Sequence, residues 1–168
     1  MEAVMKDFLS VISYWVLSVS LLLAAAAHAQ QPQAIGFVKT VTGDALVTTA
    51  GKPVKAVAGT PVFVGSVLKT GAKSSSMGVT FKDNQMMSFG PDTELTVDDF
   101  LYAPAKGDLK FASSLAKGTL NVISGSIAKL KPDAVTTKTP TGTIGVRGTN
   151  YVVKVEDRKS TRLNSSHT

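Results

Sequence analysis

The sequence predicts an all-β fold: a single domain of short antiparallel strands, sandwich- or solenoid-like. Three observations predict it. Short stretches rich in Val and Thr recur every ~8–12 residues between Gly, Pro, Asn and Asp turn signals. Several of them alternate apolar and polar residues with period two. No stretch of useful length repeats apolar residues at helical spacing.

The elements follow in order. From Ala34 to Ala58 the runs AIGFVKTV, ALVTTA and VKAVA are separated by Gly43-Asp44 and by Gly51-Lys52-Pro53. Glycine there relieves positive φ and proline fixes φ, which is turn chemistry. Gly59-Thr60-Pro61 leads into VFVGSVLKT, which stops at Gly71. Met77, Val79 and Phe81 share one face of the next strand, and Met87 and Phe89 point inward on its return. Between them Lys82-Asp83-Asn84-Gln85 predicts a tight hairpin, because Asp and Asn tolerate left-handed backbone. After Gly90-Pro91-Asp92, ELTVDDFLY predicts a strand with Leu95 and Val97 inward. LKFASSL (109–115) fits either a short helix or a strand. Gly118 to Lys129 reads as strand with a glycine turn or bulge at Gly125. Lys131-Pro132-Asp133 is a turn, and Val135–Lys138 and Tyr151–Val155 complete the pattern. The spacing Gly36…Gly43 recurs as Gly118…Gly125, a faint hint of stacked repeats.

Two terminal segments stand outside this domain. Phe8 to Ala26 carries no charge and is followed by Ala27-His28-Ala29. Small residues at Ala27 and Ala29 suit a signal peptidase, so residues 1–29 are expected to be a signal peptide cleaved before Gln30. The competing reading is an uncleaved anchor, since the run approaches the ~20 residues that span a bilayer. At the other end, one set of codons for Asp157 to His167 spells a widely used sequencing-library adapter. Residues 157–168 are therefore expected to be an artefact and disordered, with the natural frame interrupted near Glu156. The domain proper is expected to run from residue 30 to 156. The leader carries Lys6 against Glu2 and Asp7, and the tail carries Arg158, Lys159 and Arg162 against Asp157. Of the chain's formal charge of +6, the domain keeps +5.

These boundaries restrict the chemistry. Both histidines, His28 and His167, fall outside 30–156, and the chain has no cysteine. The usual general base, the soft metal ligands and the Ser-His-Asp and Cys-His arrangements are missing from the domain. A Ser-Lys pair from Lys73 and Ser74–Ser76 reads better as a polar turn. Asp98 and Asp99 are neighbours on a strand pattern and are expected on opposite faces, which does not make an acid/base pair. Asp92, Glu94 and Asp98 lack any calcium-loop spacing and read as a solvated edge strand. The lysines, from Lys39 to Lys138, are not interleaved with aromatics as in single-strand nucleic-acid binders. The expectation is therefore a non-enzyme with no catalytic residue, cofactor or metal.

The most unusual stretch is Thr139-Pro140-Thr141-Gly142-Thr143-Ile144-Gly145-Val146-Arg147-Gly148-Thr149. It lacks the Gly-Lys-Ser/Thr ending of a phosphate loop. Gly142, Gly145 and Gly148 are expected to allow close backbone approach or a bulge. Arg147, the only arginine in 30–156, is expected to tie neighbouring turns together through its planar fork.

With Asn150 and Tyr151 this stretch resembles the TP-x-A-x-IGVRGT-[DN]-[FY] signature of FecR-type domains. Three further motifs are similar in the right order: GTPVFVGSVLKTG, MGVTFKDNQMMSFGPDTEL and KGTLNVISG. Ser66 stands where the family usually has Asp, Asn84 where it has Gly, and Gly142 where it has Ala. The resemblance covers about Gly36 to Val155 and implies an all-β periplasmic domain. In iron-transport regulators of this kind, such a domain relays a signal from an outer-membrane receptor to a cytoplasmic sigma factor. Those regulators carry a cytoplasmic segment before a transmembrane helix, and no such segment precedes Phe8 here. The expectation is thus a stand-alone exported form in the periplasm, binding a protein or a cell-wall glycan. Nucleic acid is not expected as a partner, and membrane contact is expected only through an uncleaved leader. The alternative is a signal-sensing regulator whose further C-terminal part is missing.

Overall fold

The computed structural model describes residues 32–146, 150–156 and 160–164. The expected leader (1–29) lies outside them. Among the described residues, thirteen strands follow one another from Ala34 onward. They are β1 (Gly36–Thr42), β2 (Ala45–Thr49), β3 (Lys52–Lys55), β4 (Pro61–Val62), β5 (Val67–Thr70), β6 (Ser76–Phe81) and β7 (Met86–Phe89). Then come β8 (Glu94–Ala103), β9 (Asp108–Ile123), β10 (Val135–Thr139), β11 (Gly142–Gly145), β12 (Asn150–Glu156) and β13 (Ser160–Asn164). One short helix, α1 (Ser126–Leu130), sits between β9 and β10. The all-β single domain expected from the sequence is what folds.

Strand β9, 16 residues long, belongs to both halves of a curled sheet. Its first half pairs with β8 on one side and, in parallel, with β10 on the other. Its second half pairs with β7 and β12. One wing therefore runs β3-β2-β5-β8-β9 and the other β9-β7-β6-β1-β4. The change of partners falls at Gly118, whose φ of +93 is backbone that a side chain disfavours. The faint glycine repeat does not build a solenoid, because β7 and β6 separate β9 from β1.

The inward faces of the two wings make one core. Leu68, Leu95, Phe111 and Leu115 come from one wing, and Val79, Met87, Phe89 and Leu120 from the other. Each is all but fully buried, worth roughly 1.5–3 kcal/mol per large side chain. Phe111 meets Phe81 edge-on at 5.1 Å and Phe100 edge-on at 6.0 Å between ring centroids. The inward residues read from period two (Met77, Val79, Phe81, Met87, Phe89, Leu95 and Val97) are all buried.

The hairpin joining β6 to β7 has the loop Lys82-Asp83-Asn84, with Asn84 left-handed at φ 65. The Asn84 N–H donates to Phe81 O and the Phe81 N–H to Gln85 O, closing a three-residue hairpin loop. Asn thus meets the demand that glycine usually meets at this point.

One open reading is resolved and several expectations are corrected. LKFASSL is strand, with Phe111, Ser113 and Leu115 buried in alternation inside β9. Residues 126–130 are helical, not strand. The Ser126 N–H donates to Asp83 O and the Ile127 N–H to Asp83 Oδ2, so a distant residue satisfies the helix's first donors. Asp98 and Asp99 do not face opposite ways. A β-bulge between Val97 and Asp99 inserts one extra residue, leaving both carboxylates outside between inward Val97 and Phe100. Nor is β8 an edge strand, since β5 and β9 flank it. Finally, Ser160–Asn164 is strand β13 on β12, where an unstructured tail was expected. Residues 157–159 and 165–168 lie outside the described residues.

Candidate functional site

The glycine-rich motif forms the outermost hairpin of one wing. Thr139 ends β10, Pro140 and Thr141 turn, and Gly142, Thr143, Ile144 and Gly145 are β11. The Thr139 hydroxyl donates to Gly142 O at 2.9 Å and lies 3.3 Å from the Thr141 hydroxyl, which steadies the turn. Ile144 packs against the core and Val146 is buried, with its N–H on Val135 O. Arg147, Gly148 and Thr149 lie outside the described residues.

The close approach expected at Gly142 and Gly145 is not what the structure shows. A Cβ built on either meets nothing within 4 Å, and neither has a positive φ. Both sit on an outer strand with open space beside it. The departure from Ala at Gly142 therefore removes no packing.

That outer strand differs from two of the other ends of the sheet, β3 and β4. Among the described residues, β3, β4, β11 and β13 each pair with one neighbour only. The outer strands β3 and β4 contain Pro53 and Pro61, which lack the N–H that an added strand would use. Strand β11 contains no proline. Its register places Ile144 opposite Thr137 and Gly145 opposite Thr136. Because Val146 N–H bonds to Val135, alternation turns the Thr143 and Gly145 main-chain groups away from β10.

The other candidates are structural. The Ser75 hydroxyl donates to Ala72 O at 3.2 Å and accepts from Asp44 N–H at 3.2 Å, so it is part of a turn. Ser66, at the position of the family's Asp, accepts from Phe63 N–H at 3.0 Å and bonds the Thr49 hydroxyl at 2.7 Å. Asp92, Glu94 and Asp98 are split among Lys117, Lys69 and the Ser114 hydroxyl. No group of three potential metal ligands occurs among the described residues.

Sequence reasoning missed two features. One is a groove of ≈ 390 Å³ on the outside of β2, β3 and β5, with Leu46 between Lys55 and Lys69 and Asp44 at its end. These residues are far apart in sequence, and only the strand register brings them together. The other is a set of buried polar groups. Burial raises the Asp83 carboxyl above its usual 3.8, partly offset by main-chain N–H groups of Gln85 and Ile127. The Gln85 amide is buried with neither polar atom bonded. Burial pushes the Tyr151 phenol up to about 12. The Thr137 hydroxyl is near enough to soften that shift but not placed to make a good hydrogen bond. None of these three borders the groove.

A family model described as FecR protein matches residues 66–164. No curated protein and no solved structure matches the chain.

Proposed function

The chain belongs to the FecR protein family, a regulatory and sensing family, and on that premise we propose that it is a non-enzymatic binding module of the bacterial periplasm. It recognises an extended segment of a partner protein by adding it as a strand to β11. The observation that carries this reading is the contrast between β11 and the outer strands β3 and β4. Prolines interrupt β3 and β4, whereas β11 turns the Thr143 and Gly145 main-chain groups outward. Strand addition draws its affinity from those main-chain bonds. Glycines at 142 and 145 let a partner backbone come close on either face. Signal-sensing regulation, the role the family suggests, would use the same edge to receive a receptor segment.

The test is photocrosslinking in the envelope from a reactive side chain at Thr143, with Lys106 on the loop before β9 as the control position. The expected result is a discrete adduct at 143 that disappears when Gly145→Pro removes an outward donor. An adduct equally strong at 106, or one indifferent to Gly145→Pro, would sink the proposal.

A further inference from the structure

The two wings differ in what they show to solvent. Along β5, β8 and β9 of one wing, three outward lysines meet carboxylates: Lys69 with Glu94 at 3.1 Å, Lys110 with Asp99 at 2.6 Å and Lys117 with Asp92 at 2.6 Å. On the other wing the register aligns Pro61, Phe37, Thr80, Met86 and Ile123 across β4, β1, β6, β7 and β9. Phe37, Met86 and Ile123 are each 40–44% exposed, and Val152 on β12 adds a fourth apolar side chain diagonal to Ile123. With strands ~4.8 Å apart, the row crosses about 19 Å of sheet. Scattered apolar residues on a surface need no explanation, but an aligned row does.

Its rim is basic. A β-bulge between Val38 and Thr40 makes Lys39 the extra residue of β1, exposed one step from Phe37. Lys82 is exposed in the β6–β7 loop, two residues beyond Thr80. Strands β1, β4, β6, β7, the second half of β9 and β12 hold one carboxylate between them, Glu156, and Lys154 pairs with it. Among the described residues, the face is therefore apolar and mainly cationic.

We propose that this face rests on the anionic headgroups of a lipid bilayer. A second copy fits poorly, because two-fold pairing would set the lysines against each other. Protein interfaces are depleted in lysine at their centres, while lysines beside an anionic membrane are attracted individually.

The chain has no cysteine, so a single introduced one can carry a polarity-sensitive dye. Met86→Cys reports on the row, Ile123→Cys is the second position should the first misfold, and Lys55→Cys reports on the opposite wing. The full chain is mixed with vesicles of phosphatidylglycerol and phosphatidylcholine. The expected result is a blue shift at 86 or 123 and none at 55. It should be lost in pure phosphatidylcholine and in the Lys39→Gln, Lys82→Gln double variant, and it should weaken as salt is raised. Equal shifts on both wings, no shift at 86 and 123, or indifference to the lysine changes would overturn the proposal. So would a shift produced without lipid, by polyglutamate or by raising the protein concentration, since it would assign the face to a protein partner.

Discussion

Gly118 is seated against Thr93 with no room for a side chain: a Cβ there would run into the Thr93 Cα and lie 2.7 Å from its Cβ. The contact marks the point where β9 leaves one wing for the other. The Thr93 hydroxyl accepts the Thr119 N–H at 3.0 Å and donates to Gly90 O at 2.9 Å. The Thr93 N–H in turn donates to the Thr70 hydroxyl at 3.0 Å, which donates to Gly90 O at 2.6 Å. Strands β5 and β9 and the turn between β7 and β8 are joined through two threonines.

Gly118→Ala should destabilise the domain by about 2–4 kcal/mol, since it adds left-handed strain at φ +93 to an overlap with backbone. The measurement is urea denaturation, where the midpoint should fall at unchanged slope. A midpoint within error of the parent would mean that β9 can cross the wings without this contact.

Thr93→Val keeps the shape and removes the hydroxyl, leaving the half-buried Thr119 N–H without its acceptor. The expected loss is about 1–3 kcal/mol. Thr70→Val strands the Thr93 N–H in the same way. Because the two hydroxyls serve one network, the double variant should lose less than the sum, with a coupling of about 0.5–3 kcal/mol. Strict additivity in a double-mutant cycle would show that they act independently.

What the sequence made legible was local. The alternation of Met77, Val79 and Phe81, and Asn84 in the loop after them, depend on neighbours within a few residues, so period and turn chemistry suffice. Helix α1 escaped because five residues show no period and its first turn is held by Asp83, 44 residues away in the chain. The parallel pairing of β10 with β9 and the sharing of β9 by both wings are equally non-local. In the candidate site the motif was visible but its mechanics were not. Glycines that look alike in sequence divide into Gly118, which a neighbour requires, and Gly142 and Gly145, which nothing in the fold requires.

Gly142→Ala and Gly145→Ala should therefore be neutral or stabilising by about 0.4–1 kcal/mol, through a less disordered unfolded chain. Thermal unfolding of the two variants checks this. A clear drop in midpoint would mean that another part of the chain covers β11.

Asp83 gives the fold a pH dependence of unusual sign. Most native carboxylates are easier to ionise in the folded state, so acid removes stability. Burial does the reverse here, holding the Asp83 carboxyl above 3.8 although Gln85 and Ile127 donate main-chain N–H groups to it. The folded state then binds the proton more readily than the unfolded one. Its contribution is fully present below the unfolded value and is lost as pH rises through the folded one. Other carboxylates titrate alike in the parent and in Asp83→Asn, so their effects cancel in the difference between the two. That difference in melting temperature, parent minus variant, should grow in the parent's favour as pH falls from about 7 to about 4. A flat difference would mean that the carboxyl titrates alike in both states. A difference that shrinks on acidification would mean that the N–H groups of Gln85 and α1 outweigh burial, making Asp83 an ionised cap that holds the β6–β7 loop to the helix.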